Sequence, residues 1–205
     1  MNKLSNFNHF LDDSSWSQEL QPYQKNIVLS LSDAFSLFSK SKIKNLVDVG
    51  CGDGLISSIL RDKFSLQVTG IDAYIPKIRK NHIEIITADI LQPFKDILDF
   101  QPDAISSIDM LEHLSASNSK QAAKNIFNNA KKFVIIGVPY REPLKLSYIV
   151  CQKCEYIYHN VGHLQSFTLS DLVSLVPPDW RVRYAVITGD QWPRISDSEM
   201  HKLLS

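Results

Sequence analysis

Glycine, cysteine, an excess of either charge and long apolar runs are all scarce in this 205-residue chain. Lys+Arg and Asp+Glu are both 22, so the formal charge is zero. A non-specific nucleic-acid binder carries a basic excess, and none is present. The small basic clusters (Lys40, Lys42, Lys44; Lys77, Arg79, Lys80; Lys131, Lys132) are dispersed and read as solvated surface. Three cysteines cannot make a disulfide framework, so a reducing cytoplasm is the expected location. The longest clear apolar run, Phe133 to Pro139, falls far short of the ~18 residues of a membrane span. Asp12 and Asp13 stand where a signal peptide would be apolar, so export is not expected. Neither nucleic acid nor membrane is therefore the expected partner.

What is present is ordinary globular composition, 44% hydrophobic and 21% charged. At ~150 residues per domain the length fits one domain over 1–205. Apolar spacing predicts a helix over 17–38, within an N-terminal helical cap of residues 1–40. Strands are expected at 46–49, 66–71, 83–87, 104–108, 133–138 and 180–188, and helices at 55–64, 120–130 and 168–176, the last capped by Thr168. This alternation implies an α/β fold, a mostly parallel sheet with helices on both faces. Ligands of such sheets bind at the carboxyl ends of the strands. Residues 140–165 break the alternation and read as an insertion or lid after the fifth strand.

Three of the seven glycines, Gly50, Gly52 and Gly54, fall directly after the first strand. Glycine permits positive φ and lets a ligand approach the backbone closely, and strand, glycine turn and helix N-terminus together make a nucleoside-binding corner. The spacing departs from the dinucleotide pattern Gly-x-Gly-x-x-Gly. Asp48, just before the turn, would repel a pyrophosphate and suits a ligand with a cationic amino-acid end. Asp72 ends the second strand, where a carboxylate can accept both ribose hydroxyls. Asp89 ends the third and can accept from an adenine amino group.

These residues carry a resemblance. Val47-Asp48-Val49-Gly50-Cys51-Gly52-Asp53-Gly54 resembles the first motif of class I S-adenosylmethionine-dependent methyltransferases. Residues 102–114, ending Asp109-Met110-Leu111-Glu112-His113-Leu114, resemble the strand-four motif of the small-molecule (type 11/12-like) branch, and 132–139 its fifth strand. The resemblance implies a Rossmann-like sheet of seven strands, six if the last is missing, because only one strand is evident after residue 176. It implies S-adenosylmethionine as cofactor, Asp72 on the ribose, and Asp89 with Ile90 flanking the adenine. Cys51, Ala73 and Ile108 belong to the same pocket, Cys51 as a small residue and not a nucleophile. The reaction implied is methyl transfer to a hydroxyl or amine of a small molecule or sugar. The alternatives are an NAD-dependent oxidoreductase and a non-catalytic cofactor-binding interaction module.

His113 is the base candidate on the main fold, with orientation of its loop as the competing role. His163 is a candidate for reaching the substrate. Cys151, Cys154, His159 and His163 pack four zinc-type ligands into 13 residues, with the Cys-x-x-Cys spacing of a zinc site. A redox pair and inert packing of the lid are the other readings of that segment.

Overall fold

The computed structural model describes residues 22–38, 43–74 and 83–187. Helix α1 (Pro22–Phe38) precedes strand β1 (Asn45–Val49), helix α2 (Leu55–Phe64) and strands β2 (Gln67–Asp72) and β3 (Glu84–Thr87). Strand β4 (Ala104–Ile108), a 3-10 turn (Leu111–His113), helix α3 (Ala116–Asn129) and strand β5 (Phe133–Gly137) follow. The chain then forms a hairpin, β6 (Tyr148–Val150) and β7 (Ile157–His159), and helix α4 (Leu169–Ser174). Five strands form one sheet in the order β3-β2-β1-β4-β5, every pairing parallel.

Strands of a parallel sheet are covered on both faces, which is why β1 is buried from Leu46 to Val49. Side chains alternate between the two faces. Leu46 joins Leu31, Phe35 and Leu60 under α1 and α2. Val47 and Val49 join Ile71, Ile105 and Ile126 on the other face, against α3. Helix α3 starts earlier than its apolar spacing predicts, because Ser115 accepts the Asn118 N–H and caps a polar first turn. Thr168 caps α4 as expected, within a reciprocal capping box with Asp171.

The expected seven (or six) strands are corrected to five in the sheet among the described residues. Residues 180–187 form no strand, and Thr188 lies outside the described residues. A β-rich run becomes a strand only where a sheet edge receives it. Here Trp180 instead packs edge-on against Phe127 of α3, at 5.3 Å between ring centroids. Of the N-terminal cap, residues 1–21 and 39–40 also lie outside the described residues. No described helix is long and apolar enough to cross a membrane.

Candidate active site

The turn after β1 uses glycine at each of the three positions because all three take positive φ: 77° at Gly50, 56° at Gly52 and 80° at Gly54. Gly50 is also sterically required, since a Cβ there would overlap the Met110 side chain. Gly52 is exposed and, among the described residues, nothing lies within 4 Å of where its Cβ would be. The backbone of this turn is therefore open to a ligand. Asp53 accepts the Leu55 N–H at 2.9 Å and helps start α2.

Asp72 ties the turn to the end of β2. Its Oδ2 accepts the Gly52 N–H at 2.8 Å and its Oδ1 the Tyr74 N–H at 2.9 Å. Burial pushes its pKa up, against these backbone donors. Each carboxylate oxygen accepts more than one bond, so both retain capacity for a diol. Ala73 beside it is exposed. Asp89 is exposed and accepts the Leu91 N–H at 2.9 Å; Ile90 is buried. The Ile90 and Gln92 carbonyls accept from Asn125 of α3, which anchors this loop. Ile108 ends β4, half-buried and paired in register with Gly137.

Asp48 sits differently from its sequence reading. It is 3% exposed, and its two oxygens accept from the hydroxyls of Ser57 and Ser106. Burial still raises its pKa against these two donors. Asp48 thus braces β1, α2 and β4 beneath the turn, with its known partners all internal. Cys51 packs on Gly70, and burial together with Asp48 and Asp72 pushes its thiol well above the usual range. A raised pKa favours the thiol over the reactive thiolate.

Beyond β4 the structure gathers a group the sequence reveals only in part. Asp109 takes φ 50° and leads through Met110 into the 3-10 turn carrying Glu112 and His113. The strap at 162–167 folds back over this turn: Leu164 N–H donates to the Glu112 carbonyl at 2.8 Å, and Gln165 Nε2 donates to the Leu111 and Leu114 carbonyls. The strap brings the His163 ring 4.7 Å from His113, edge-on, and 4.8 Å from His159, stacked. Glu142 joins the two strap-side histidines, 2.5 Å from His163 Nδ1 and 3.3 Å from His159 Nε2.

Burial dominates the electrostatics here. It raises Asp109 to about 6 and Glu112 to about 8, the latter reinforced by Asp109 and Glu142 and only partly relieved by its own backbone N–H. It lowers His113 to about 4, helped by His163, so this imidazole is neutral at pH 7. It lowers His159 as well, against the pull of Glu142.

The four-ligand Cys/His grouping is not assembled. Cys151 and Cys154 stand at the hairpin tip, where Cys151 N–H donates to the Tyr156 carbonyl. His159 stands at the hairpin base, in register with Tyr148. From Ile157 to His159 is two residues of strand, roughly 7 Å at ~3.3 Å each, and the cysteines lie beyond Ile157. Among the described residues, the donor sets whose atoms all lie within 4.8 Å of one another are Glu112/His113/His163 and Glu142/His159/His163. Glu142 was invisible to sequence spacing because it sits 21 residues from His163. Asp109 and Glu112 were visible as acids flanking the end of the fourth strand, but only the strap shows what they face.

A family model described as a methyltransferase domain matches residues 23–176. An S-adenosylmethionine-dependent methyltransferase from Archaeoglobus fulgidus has a similar structure, with 13% identity over 87% of this chain and 83% of that chain and a TM-score of 0.56. The PH0226 protein of Pyrococcus horikoshii OT3 matches at 19% identity, 77% and 82% coverage and TM-score 0.54. DesVI of Streptomyces venezuelae matches at 17% identity and TM-score 0.48; this chain spans 54% of its length and the match takes 58% of this chain. No curated protein matches the sequence. At such identities the structural likenesses speak to fold, and the family match over most of the chain speaks to kinship. With its glycine turn and the acid that closes it, the chain belongs to the methyltransferase-domain family whose model it matches, and it shares the fold of S-adenosylmethionine-dependent methyltransferases.

Proposed function

We propose that this domain moves the methyl group of S-adenosylmethionine to a hydroxyl or amine of a small molecule or sugar, in the cytoplasm, with neither nucleic acid nor membrane as partner. Gly50 and Gly52 pass the cofactor along the open turn, Asp72 takes the ribose diol, and Asp89 with Ile90 flanks the adenine; Cys51, Ala73 and Ile108 complete the pocket. The observation that carries this reading is the pairing of an exposed, unobstructed Gly52 with the Asp72 carboxylate that accepts its N–H. Asp48 acts by holding the turn in place. The 140–165 insertion and the N-terminal cap of residues 1–40 supply the acceptor side.

The chemistry is an in-line displacement. The acceptor's lone pair forms a bond to the methyl carbon as the carbon–sulfur bond breaks, and its electron pair returns to sulfur, leaving S-adenosylhomocysteine. Positioning can contribute up to roughly 7–11 kcal/mol of the barrier. A hydroxyl acceptor must also lose a proton, and His113 and His163 stand among buried carboxylates at the carboxyl end of β4 where that proton would leave.

Calorimetric titration tests the reading directly. S-adenosylhomocysteine should bind with about one equivalent and NAD should not. Binding of NAD alone would return the chain to the oxidoreductase alternative. Binding of S-adenosylmethionine with no turnover across hydroxyl and amine acceptor libraries would favour the non-catalytic module.

A further inference from the structure

Glu112 is 1% exposed, and among the described residues neither oxygen of its carboxylate meets a hydrogen-bond donor in good geometry. A buried carboxylate left in this state is costly, whether charged or protonated, unless something else satisfies it. What faces it is imidazole: His163 Nε2 lies 3.9 Å from Oε1, and Glu112, His113 and His163 each offer a ligand atom within 4.8 Å of the others. Two imidazoles and one carboxylate are a donor set for first-row divalent cations. We propose that Glu112, His113 and His163 form a binding site for one such cation, with Glu142 and His159 fixing the His163 ring.

The second donor set, Glu142/His159/His163, is better read as support than as a rival site. Glu142 already holds His163 Nδ1 at 2.5 Å, which leaves Nε2 directed at Glu112. His159 stacks on the same ring at 4.8 Å, anchored by Glu142 at 3.3 Å. A ligating histidine whose other ring nitrogen is held by a carboxylate is the usual outer arrangement of a metal centre. His163 is therefore oriented by groups outside the donor set, and the carboxylate it faces is buried. The position is also next to the cofactor turn, since Met110, two residues before Glu112, covers Gly50. An ion there acts as a Lewis acid that eases loss of a proton from a bound hydroxyl, and with it bound His113 and His163 are ligands and not the base. That consequence rests on the methyl-transfer reading; the ion site does not.

The test uses the full chain, stripped with a chelator and titrated with Co²⁺ and Mn²⁺ by calorimetry, with the Co²⁺ absorption spectrum as a second readout. Wild type should take up about one equivalent. Glu112→Gln and His163→Ala should each abolish it, and Glu142→Gln should weaken it about 10–100-fold. Cys151→Ser/Cys154→Ser should change nothing. S-adenosylhomocysteine titrations on the same samples report whether each variant is folded; if Glu112→Gln is not, His163→Asn carries the same comparison. The proposal is overturned if wild type binds S-adenosylhomocysteine but no cation, if cation binding survives Glu112→Gln, or if it disappears with the cysteines. Cation bound without S-adenosylhomocysteine would support the ion site and remove the cofactor reading instead.

Discussion

Asp72 accepts the Gly52 N–H at 2.8 Å, so the end of β2 and the turn after β1 are held by a single carboxylate. The same group is the one proposed for the ribose. Asp72→Ala removes the bond to the turn and the proposed ribose contact together. Hydrogen bonds to charged groups contribute roughly 1.5–3 kcal/mol, so S-adenosylhomocysteine affinity should fall about 10- to 150-fold by calorimetry. An unchanged Kd would place the ribose elsewhere.

Gly50 and Gly52 should respond differently to alanine. Both carry positive φ, which costs a Cβ-bearing residue roughly 1–2 kcal/mol. Only Gly50 adds an overlap with Met110. Denaturant unfolding should therefore show Gly50→Ala as the more destabilised protein. Gly52→Ala should lose little beyond the strain yet bind cofactor more weakly, because its new methyl enters the open side of the turn. Equal stability losses would contradict the packing around Met110.

Asp48 rests on two hydroxyls in the core. Ser57→Ala and Ser106→Ala each leave a buried carboxylate short of a donor, at about 1–3 kcal/mol. The double variant should deviate from additivity, since the two serines share one partner. Thermal or urea unfolding of the four-member cycle measures the coupling, and strictly additive losses would mean that the serines act independently.

Asp103 gives the pH dependence. Burial pushes its carboxyl up, but Lys132 at 2.9 Å and the Lys44 N–H outweigh this, and the pKa is lowered overall. A carboxyl lowered on folding contributes stability that is full above the unfolded value of about 3.9 and is lost as pH falls through the folded value. Asp103→Asn should cost roughly 1.5–3 kcal/mol at pH 7. The gap between variant and wild type should shrink on acidification below about pH 4. A gap that is constant down to the lowest pH would show that charge is not the contribution.

The cysteines should separate by reactivity. Cys154 is exposed, and Cys151 has its pKa lowered by the Lys153 backbone and by Cys154, whereas burial holds the Cys51 thiol up. Thiolate is the reactive form, so a maleimide or disulfide reagent should modify the hairpin pair well before Cys51. Peptide mass spectrometry after a short exposure would check this; early labelling of Cys51 would contradict its packing against Gly70.

Local chemistry made the glycine turn readable. A glycine cluster in a glycine-poor chain can satisfy a turn of positive φ, and an acid at a strand end lies at the sheet edge; Gly50, Gly52 and Asp72 come together there. Asp48 shows its limit. Its position was evident, but the alternation of β1 turns the side chain toward Ser57 and Ser106, and those partners are set by packing.

The residues beyond the cofactor side were decided by tertiary structure alone. Four cysteines and histidines within 13 residues look like one ligand set, but hairpin register puts the cysteines at the tip and His159 at the base. The strap then delivers His163 to Glu112 and Glu142, which no spacing links. The last strand follows the same rule, since a β-rich run cannot know whether a sheet edge will receive it. Sequence settles what a backbone segment can do by itself; which distant side chains share a buried space is settled only when the chain closes on itself.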